Sequence, residues 1–443
     1  MIESADRSII QHRQLQDLKH TINRVYQNVP FYKKRFLEQN ITPQNIQCLE
    51  DVQKLPFTTK KDLRDHYPFS LFAVEQKELV RLHASSGTSG KPTVVGYTKK
   101  DIEDWAAIVA RAILIAGGKP GDMLQNAYGY GLFTGGLGLH YGGENLGVTV
   151  IPISGGNTDR QIQIIQDFQP TILCSTPSYA INIGEKMIEQ GMNPRETSLK
   201  IGIFGAEPWS DEMRRKIEEL FQIKACDIYG LSEVVGPGVA MECYEGQNGL
   251  HIAEDHFLVE VIDPETLKPV PEGTEGELVF TSLKKEALPI IRYRTGDIAS
   301  ISTEKCICGR TTTRMSRIKG RIDDMIIIRG VNIFPSEIEH HLIKIKEIAP
   351  HYQVHLLRNS SLDEIELHVE INEELFQQTS QNLLHPMITT LQAEIYEKMK
   401  SNCLMSMNIK IHPPKELPRS EGKAIRIVDH RKKCMKGDQH ELC

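Results

Sequence analysis

The chain is poor in the features that mark several large classes of protein. No apolar run approaches the roughly 18 residues that a membrane-crossing helix requires. The N-terminal MIESADRSIIQHRQ is polar and acidic-led, without the apolar core of a secretory signal. The net charge is −6 and no basic tract is present, so the charge pattern gives no case for a nucleic-acid partner. Nine cysteines, an odd count at irregular spacing, do not form the framework of a disulfide-stapled secreted domain. What remains is a chain of 443 residues, 40% apolar and 25% charged, which is the balance of a soluble globular protein, and a cytoplasmic enzyme is the expectation. That length exceeds one ordinary core, and two or three domains are expected.

The richest stretch is His83 to Thr98, HASSGTSGKPTVVGYT. It combines Ser85, Ser86, Thr88 and Ser89 with Gly87, Gly90, Gly96 and Lys91. Glycines let the backbone turn its N–H groups toward one point, and hydroxyls and an ammonium add donors to the same concavity, which suits a polyphosphate. The Walker spacing fails, because Gly90-Lys91 is followed by Pro92 and the residue five before Gly90 is Ser85. Apolar Leu79, Val80 and Leu82 before the loop, and Val94, Val95 and Tyr97 after it, read as flanking strands.

Upstream, residues 8–40 show helical periodicity broken at the proline of NVPFYKKRF. Downstream, Asp101 to Ala116 reads as a helix with Asp101 as N-cap and Gly117-Gly118 as its stop. Eight glycines then fall between Gly129 and Gly147, a density that permits close approach to a ligand or to a neighbouring element. From Val148, short apolar strands alternate with helices as far as KACDIYG, which predicts a mostly parallel sheet covered by helices. Ligands on such sheets sit beyond the carboxyl ends of the strands. The segments there are Ser175-Thr176-Pro177, Gly205-Ala206-Glu207-Pro208 and Tyr229-Gly230-Leu231-Ser232-Glu233. HFLVEVID, GELVFTSL and IASIS, between turns, predict an antiparallel β subdomain over about 243–315. A hairpin near Met325–Arg329 and a compact α+β piece follow, with the domain boundary placed at Arg321–Asp323. The charged tail KKCMKGDQHELC is expected to fray. The fold class is therefore α/β, in three parts: an N-terminal helical region over 1–80, a core over 81–321, and a small C-terminal domain over 322–443.

HASSGTSGKPT, YGLSE, YRTGD, GRIDDMIIIRGVN and LPRSEGKA stand in the order and spacing of the acyl- and aryl-CoA synthetases, the adenylate-forming enzymes. The chain most resembles the phenylacetate–CoA ligases among them, through NVPFYKKRF, QNAYGYGLFTGGLGLHYG, PISGGNT, GAEPWS, EDHF and RGVNIFPSEIE. The likeness runs from about residue 14 to 432.

The resemblance implies a ligase that joins an aromatic acid, phenylacetate or a similar one, to coenzyme A with ATP, by way of an acyl adenylate. It implies that Ser85–Lys91 cradles the β- and γ-phosphates, with Lys91 serving the leaving group. Glu233 is implied to bind Mg²⁺, and Lys423 to bridge the carboxylate and the α-phosphate. Asp297 is acceptor-only when ionised and suits both ribose hydroxyls; Arg321 resembles the second ribose and phosphate contact. Tyr229 is expected to stack on adenine against Gly205–Pro208, with Asp227, Gly230 and Ser232 nearby. Asp323 matches the hinge about which the small domain turns, bringing Arg329 and Gly330 to the coenzyme A entrance. The acid is expected between Tyr130, Phe133, Gly205 and Ala206. The chain has Gly143 where the family often has Ala, and Gly296 where Arg or another residue is common.

Cys243, His251, Cys306 and Cys308 offer soft ligands for a structural zinc, with His256 as a substitute, whereas Cys174 and Cys226 read as core. Two other functions fit the same fold: an adenylating enzyme that loads a carrier protein, and a non-catalytic nucleotide-binding protein. The family makes a homodimer the expected assembly.

Overall fold

The structure is a computed structural model and describes residues 2–85, 92–322, 325–328, 331–359, 362–403 and 405–431. Two helices open the chain, α1 (Arg7–Asn28) and α2 (Pro30–Glu38). Pro30 ends the first by starting the second, at a position where its missing N–H has no intrahelical partner to lose. α1 is fastened to residues far downstream. Arg7 pairs with Glu254, Gln14 Nε2 donates to Phe257 O at 3.2 Å, and Thr21 Oγ1 donates to Leu283 O at 2.7 Å.

After the short α3 (Lys60–Asp65), strands β1 (Arg81–Ser85) and β2 (Thr93–Tyr97) pair antiparallel with Ser85 opposite Thr93. They bracket the phosphate-loop segment as expected, but Ser86, Gly87, Thr88, Ser89, Gly90 and Lys91 themselves lie outside the described residues. Helix α4 (Lys99–Ile115) follows. Its N-cap is Thr98, not Asp101: Asp101 is the third helical residue, and the two side chains cap each other's backbone at 3.0 and 3.1 Å. The Asp101 carboxylate also accepts from the N–H groups of Glu286 and Ala287, so it joins two distant segments as well as capping a helix.

The strand–helix alternation follows: β3 (Met123–Asn126), α5 (Thr134–Leu146), β4 (Thr149–Ile151), α6 (Thr158–Phe168), β5 (Ile172–Ser175), α7 (Pro177–Glu189), β6 (Ile201–Gly205), α8 (Asp211–Phe221) and β7 (Lys224–Leu231). Most of the glycine-dense stretch forms helix α5, where Gly138 and Gly142 serve packing. A Cβ at Gly138 would lie 2.5 Å from Pro237 Cγ and 2.7 Å from Trp105 Cζ2, and one at Gly142 would lie 2.4 Å from Val109 Cγ1. Backbone therefore meets side chain directly where α5 crosses α4.

Strands β8 (Gly236–Glu242) and β9 (Leu250–Ile252) turn antiparallel. The expected antiparallel subdomain consists of β10 (Phe257–Ile262), β11 (Gly276–Ser282) and β12 (Tyr293–Ala299), closed by β15 (Gly320–Arg321). The intervening β13 (Ile301–Ser302) and β14 (Arg314–Met315) leave it for the edge of the large sheet. That sheet has nine strands in the order β13-β14-β9-β8-β7-β6-β5-β3-β4. His251 pairs with Arg314 along this edge, which draws the two cysteine-bearing turns together.

The last part has its own core. The hairpin β16 (Ile326–Ile328) and β17 (Val331–Ile333) leads to α9 (Pro335–Leu342). Then come β18 (Ile348–Asn359), β19 (Leu362–Ile371), α10 (Glu373–Gln378), α11 (Pro386–Asn402), β20 (Asn408–His412) and β21 (Ile427–Asp429). Val354, Leu356, Leu367 and Val369 point from the sheet toward the helices and are fully or almost fully buried. The alternate positions carry a row of histidines. His355 and His368 stack at 3.9 Å, His412 Nε2 lies 2.8 Å from His368 Nδ1, and His430 Nε2 lies 3.2 Å from His355 Nδ1. Polar contacts cross to the large domain from His351 to Glu185 and from His340 to Glu212, and an ion pair joins Lys415 to Glu189, each at 2.9 Å. Among the described residues no helix is long and apolar enough to cross a membrane.

Candidate active site

Strands β5, β6 and β7 are parallel neighbours, so their carboxyl ends fall on one side of the sheet. The three segments singled out in the sequence meet there. The cleft beyond them is lined by Gly205, Ala206, Glu207, Pro208, Asp227, Tyr229, Gly230, Asp297, Arg321 and Lys423, together with Trp209 and Arg317. The backbone is cramped at its floor. A Cβ at Gly205 would lie 2.2 Å from Ile228 O, and one at Gly230 would lie 2.0 Å from Gly236 O, so neither position tolerates a side chain.

Asp297 and Arg321 are partners in the β12–β15 register, which sets their side chains together across the strands. Arg321 Nη1 donates to Asp297 Oδ1 at 2.8 Å, and Tyr229 Oη donates to Asp297 Oδ2 at 2.7 Å. Burial, reinforced by the Asp297 carboxylate, raises the Tyr229 phenol well above its ordinary range, so it remains a donor. The ring of Tyr229 stacks on Phe280 at 6.1 Å. Burial pushes Asp227 up to about 7, and the neighbouring Glu242 carboxylate adds to the shift. Arg317 reaches it with Nε at 3.8 Å from Oδ2 while its guanidinium covers the Trp209 ring.

Lys423 comes from the small domain. Its loop is held by Thr176 Oγ1, which donates to Gly422 O at 2.8 Å, and by Glu207, whose Oε2 accepts from Ala424 N at 2.8 Å. Glu207 Oε1 meanwhile accepts from Ser178 N at 2.9 Å.

Other expected site residues lie outside this lining. Glu233 is buried in the turn between β7 and β8, and its carboxylate makes no hydrogen bond or ion pair with any described residue. Ser232 Oγ lies 3.0 Å from Thr134 Oγ1. Tyr130 is held by Asn126 Nδ2, which donates to its hydroxyl at 2.8 Å, whereas Phe133 is 44% exposed at the start of α5. Their segment runs beside β1, with Ala84 N donating to Leu132 O at 3.1 Å. Asp323, Arg329 and Gly330 lie outside the described residues, as does the side chain of Ser85. Sequence reasoning missed Arg317, which belongs to no motif, and gave no role to Trp209, although GAEPWS carries it. It also gave no role to Thr176, although the segment carrying it was marked as a strand end, or to Ser178 just beyond that segment.

A second cluster lies at the sheet edge. One donor atom from each of Cys243, His251, Cys306 and Cys308 falls within 4.8 Å of the others. The Cys243 and Cys306 sulfurs are 3.7 Å apart, and Cys308 Sγ is 3.4 Å from His251 Nε2. Tetrahedral zinc bonds of about 2.3 Å to sulfur and about 2.0 Å to nitrogen put ligand atoms roughly 3.5–3.8 Å apart, so the set fits that ion. His251 Nδ1 engages Thr312 Oγ1 at 3.0 Å, which leaves Nε2 free to ligate. Burial pushes His251 down to about 4 and the Cys243 thiol up to about 12, whereas at Cys308 burial is outweighed by hydrogen bonds, led by that to the Arg310 backbone, and the thiol is lowered; the imidazole is thus neutral, and Cys243 is the thiol that needs a cation to ionise. His256 is no substitute ligand: it stands apart from the group, beside Asp255 at 3.6 Å, because its turn enters β10 and not the edge strands. Cys174 and Cys226 are fully buried in β5 and β7, as expected of core residues.

The AMP-binding enzyme family model matches residues 9–283, and the AMP-binding enzyme C-terminal domain model matches residues 330–431. The chain is 49% identical to the phenylacetate-coenzyme A ligase of Thermus thermophilus, with 97% of this chain and 99% of that one covered. It is 50% identical to the ligase of the same name from Pseudomonas putida (97% and 96% covered) and 49% identical to that of Escherichia coli K12 (97% of each). Among solved structures, 2-hydroxyisobutyryl-CoA ligase in its postadenylation state with 2-HIB-AMP superposes with a TM-score of 0.91 at 28% identity, covering 98% of this chain and 92% of that one. The same enzyme in its thioesterification state gives 0.72 at 29% identity, covering 97% and 91%. With relatives of one name matching it from end to end, and with both parts of the fold present, the chain belongs to the phenylacetate–CoA ligase family of AMP-binding enzymes.

Proposed function

We propose that the protein converts phenylacetate, ATP and coenzyme A to phenylacetyl-CoA, AMP and diphosphate through an acyl adenylate. In the first step a carboxylate oxygen attacks the α-phosphorus and the bond to diphosphate breaks. In the second the coenzyme A sulfur attacks the adenylate carbonyl, its proton passes to solvent, and AMP leaves. Two anions meet in the first step, so positive charge must be placed between them. The observation that carries the reading is the arrival of Lys423, from a separate domain, in a cleft that already holds the Asp297–Arg321 pair. Lys423 is assigned to the carboxylate and the α-phosphate, Asp297 and Arg321 to the ribose, and Tyr229 with the backbone of Gly205–Pro208 to the adenine.

The loop Ser85–Lys91 is assigned to the diphosphate. Glu233 offers a buried, uncommitted carboxylate, which is the hard oxygen donor that Mg²⁺ takes, and the ion bound there would neutralise polyphosphate charge. The second step is assigned to rotation of the small domain about Asp323, with Arg329 and Gly330 brought to the pantetheine arm. Zinc is assigned to Cys243, His251, Cys306 and Cys308 as a structural ion.

AMP release, measured with a panel of carboxylic acids with and without coenzyme A, tests the proposal. Phenylacetate and near relatives are expected to turn over, with release dependent on free coenzyme A. Turnover only with a pantetheinylated carrier protein would overturn the acceptor. Unchanged ATP–diphosphate exchange in Lys423→Ala would overturn the mechanism.

A further inference from the structure

Glu207 is a carboxylate at the lip of a cleft read as binding a polyanion, and it is not built to touch phosphate. It can only accept hydrogen bonds, and each of its oxygens already has a backbone donor. Oε1 takes the N–H of Ser178, one of the N–H groups at the start of α7 that the helix itself cannot satisfy. Oε2 takes the N–H of Ala424 in the small domain. One side chain thus fastens the large domain to the residue immediately after Lys423.

The other side of that lysine is fastened too. Thr176, the N-cap of α7, donates its hydroxyl to the carbonyl of Gly422 at 2.8 Å, and Ser178 Oγ lies 3.5 Å from the same oxygen. Both peptides flanking Lys423 are therefore clamped, from two adjacent strand ends. The Ala424 contact crosses the domain boundary, so it belongs to this arrangement of the domains, the one that superposes at 0.91 on a postadenylation state and at 0.72 on a thioesterification state.

We propose that Glu207, with Thr176, is a positioning residue of the adenylation half-reaction. It clamps the backbone on both sides of Lys423 so that the ammonium is delivered to a fixed point, and it lets go when the small domain turns. A lysine carries four rotatable bonds, so fixing its backbone is the way a fold places the charge within the fraction of an ångström that two approaching anions require. The proposal rests on the reading of Lys423 as the adenylation lysine.

The test separates the half-reactions in Glu207→Ala, Glu207→Gln and Thr176→Val. Adenylation is read by ATP–diphosphate exchange, and thioester formation by supplying phenylacetyl adenylate and coenzyme A. Hydrogen bonds to charged groups are worth about 1.5–3 kcal/mol, so Glu207→Ala is expected to lower kcat of exchange about 10- to 100-fold, with the KM for ATP nearly unchanged. Glu207→Gln keeps one acceptor oxygen and should fall between, and Thr176→Val should shift in the same direction. Thioester formation should stay within about 3-fold of the parent, a loss of no more than roughly RT. The proposal is overturned by equal losses in both half-reactions, by exchange that survives Glu207→Ala, or by a rise in the KM for ATP at constant kcat, which would mark a nucleotide contact. If Glu207→Ala does not fold, the isosteric Gln variant carries the same comparison. Lys423→Ala separates the two readings. If it leaves exchange intact, the assignment of Lys423 is wrong; if it abolishes exchange while Glu207→Ala does not, only the clamp is wrong.

Discussion

Two neighbouring glycines of α5 should respond to alanine with opposite sign. Helix propensity alone favours alanine over glycine by about 1 kcal/mol at either position. At Gly142 the new methyl would lie 2.4 and 2.5 Å from Val109 Cγ1 and Cβ and 3.0 Å from the Val109 carbonyl carbon. Val109 is fully buried in α4, and a backbone atom among the neighbours means that no rotamer change relieves the clash. Overpacking of this kind costs about 1–3 kcal/mol, so Gly142→Ala should be destabilising by up to about 2 kcal/mol net. At Gly143 one atom stands in the way, Val150 Cγ2 at 2.5 Å, and the next neighbours are at 4.0 Å. Val150 is half-buried on the edge strand β4 and can turn, at about 0.5–1 kcal/mol for a displaced rotamer. Gly143→Ala should then be neutral or slightly stabilising. Urea denaturation with near-UV detection at fixed protein concentration reads the difference directly, at unchanged m-value. A shift of the two midpoints in the same direction by the same amount would show that propensity governs α5 and that the close crossing with α4 does not.

Asp297→Asn removes a charge that answers Arg321 and one of the acceptors of the site assigned to the ribose. The KM for ATP is expected to rise about 10- to 100-fold in initial-rate assays, and an unchanged KM would remove Asp297 from the nucleotide. Protein purified without chelator should carry near-stoichiometric zinc by elemental analysis, and Cys306→Ala/Cys308→Ala should lose both the metal and several degrees of Tm. A metal-free parent of equal Tm would exclude the ion. Burial, with His368 and His430 close by, pushes His355 down to about 4 from 6.5. The unfolded chain therefore binds more protons between those values, and the stability this neutral histidine contributes is present above pH 6.5 and lost as pH falls toward 4. Replacing it by Phe should flatten the acid limb of a plot of melting temperature against pH, and an unaltered limb would assign that sensitivity elsewhere.

The parallel sheet was legible because its strands are short apolar runs between amphipathic helices, and the strand-end segments followed from topology alone. Local chemistry misled at Asp101, where a good capping residue sits three places after a better one. Glycine density left ligand and packing readings open, since both need bare backbone; only the neighbours Val109, Trp105 and Pro237 decide. The grouping of Cys243, His251, Cys306 and Cys308 was readable from the sequence, yet the departure of β13 and β14 from the antiparallel subdomain was not, because two-residue strands carry no periodicity. Glu207 was grouped with its neighbours as a nucleotide contact, and its pairing with residue 424 is a relation between domains that no local pattern encodes.

The fastening of α1 bears on how the chain is made. Its hydrogen-bonding partners lie far along the sequence, 247 residues on for Arg7 and 262 for Thr21. At about 5–20 residues per second on a ribosome, the first helix waits roughly 12–50 seconds for the residues that will bury it. During that interval Ile10, Leu18, Ile22 and Val25, all buried in the finished protein, have only α2 and the turns just after it to lie against. The opening segment of the chain is thus among the last to reach its place, and nascent chains arrested before residue 254 should present it to whatever holds unfinished polypeptides in the cell.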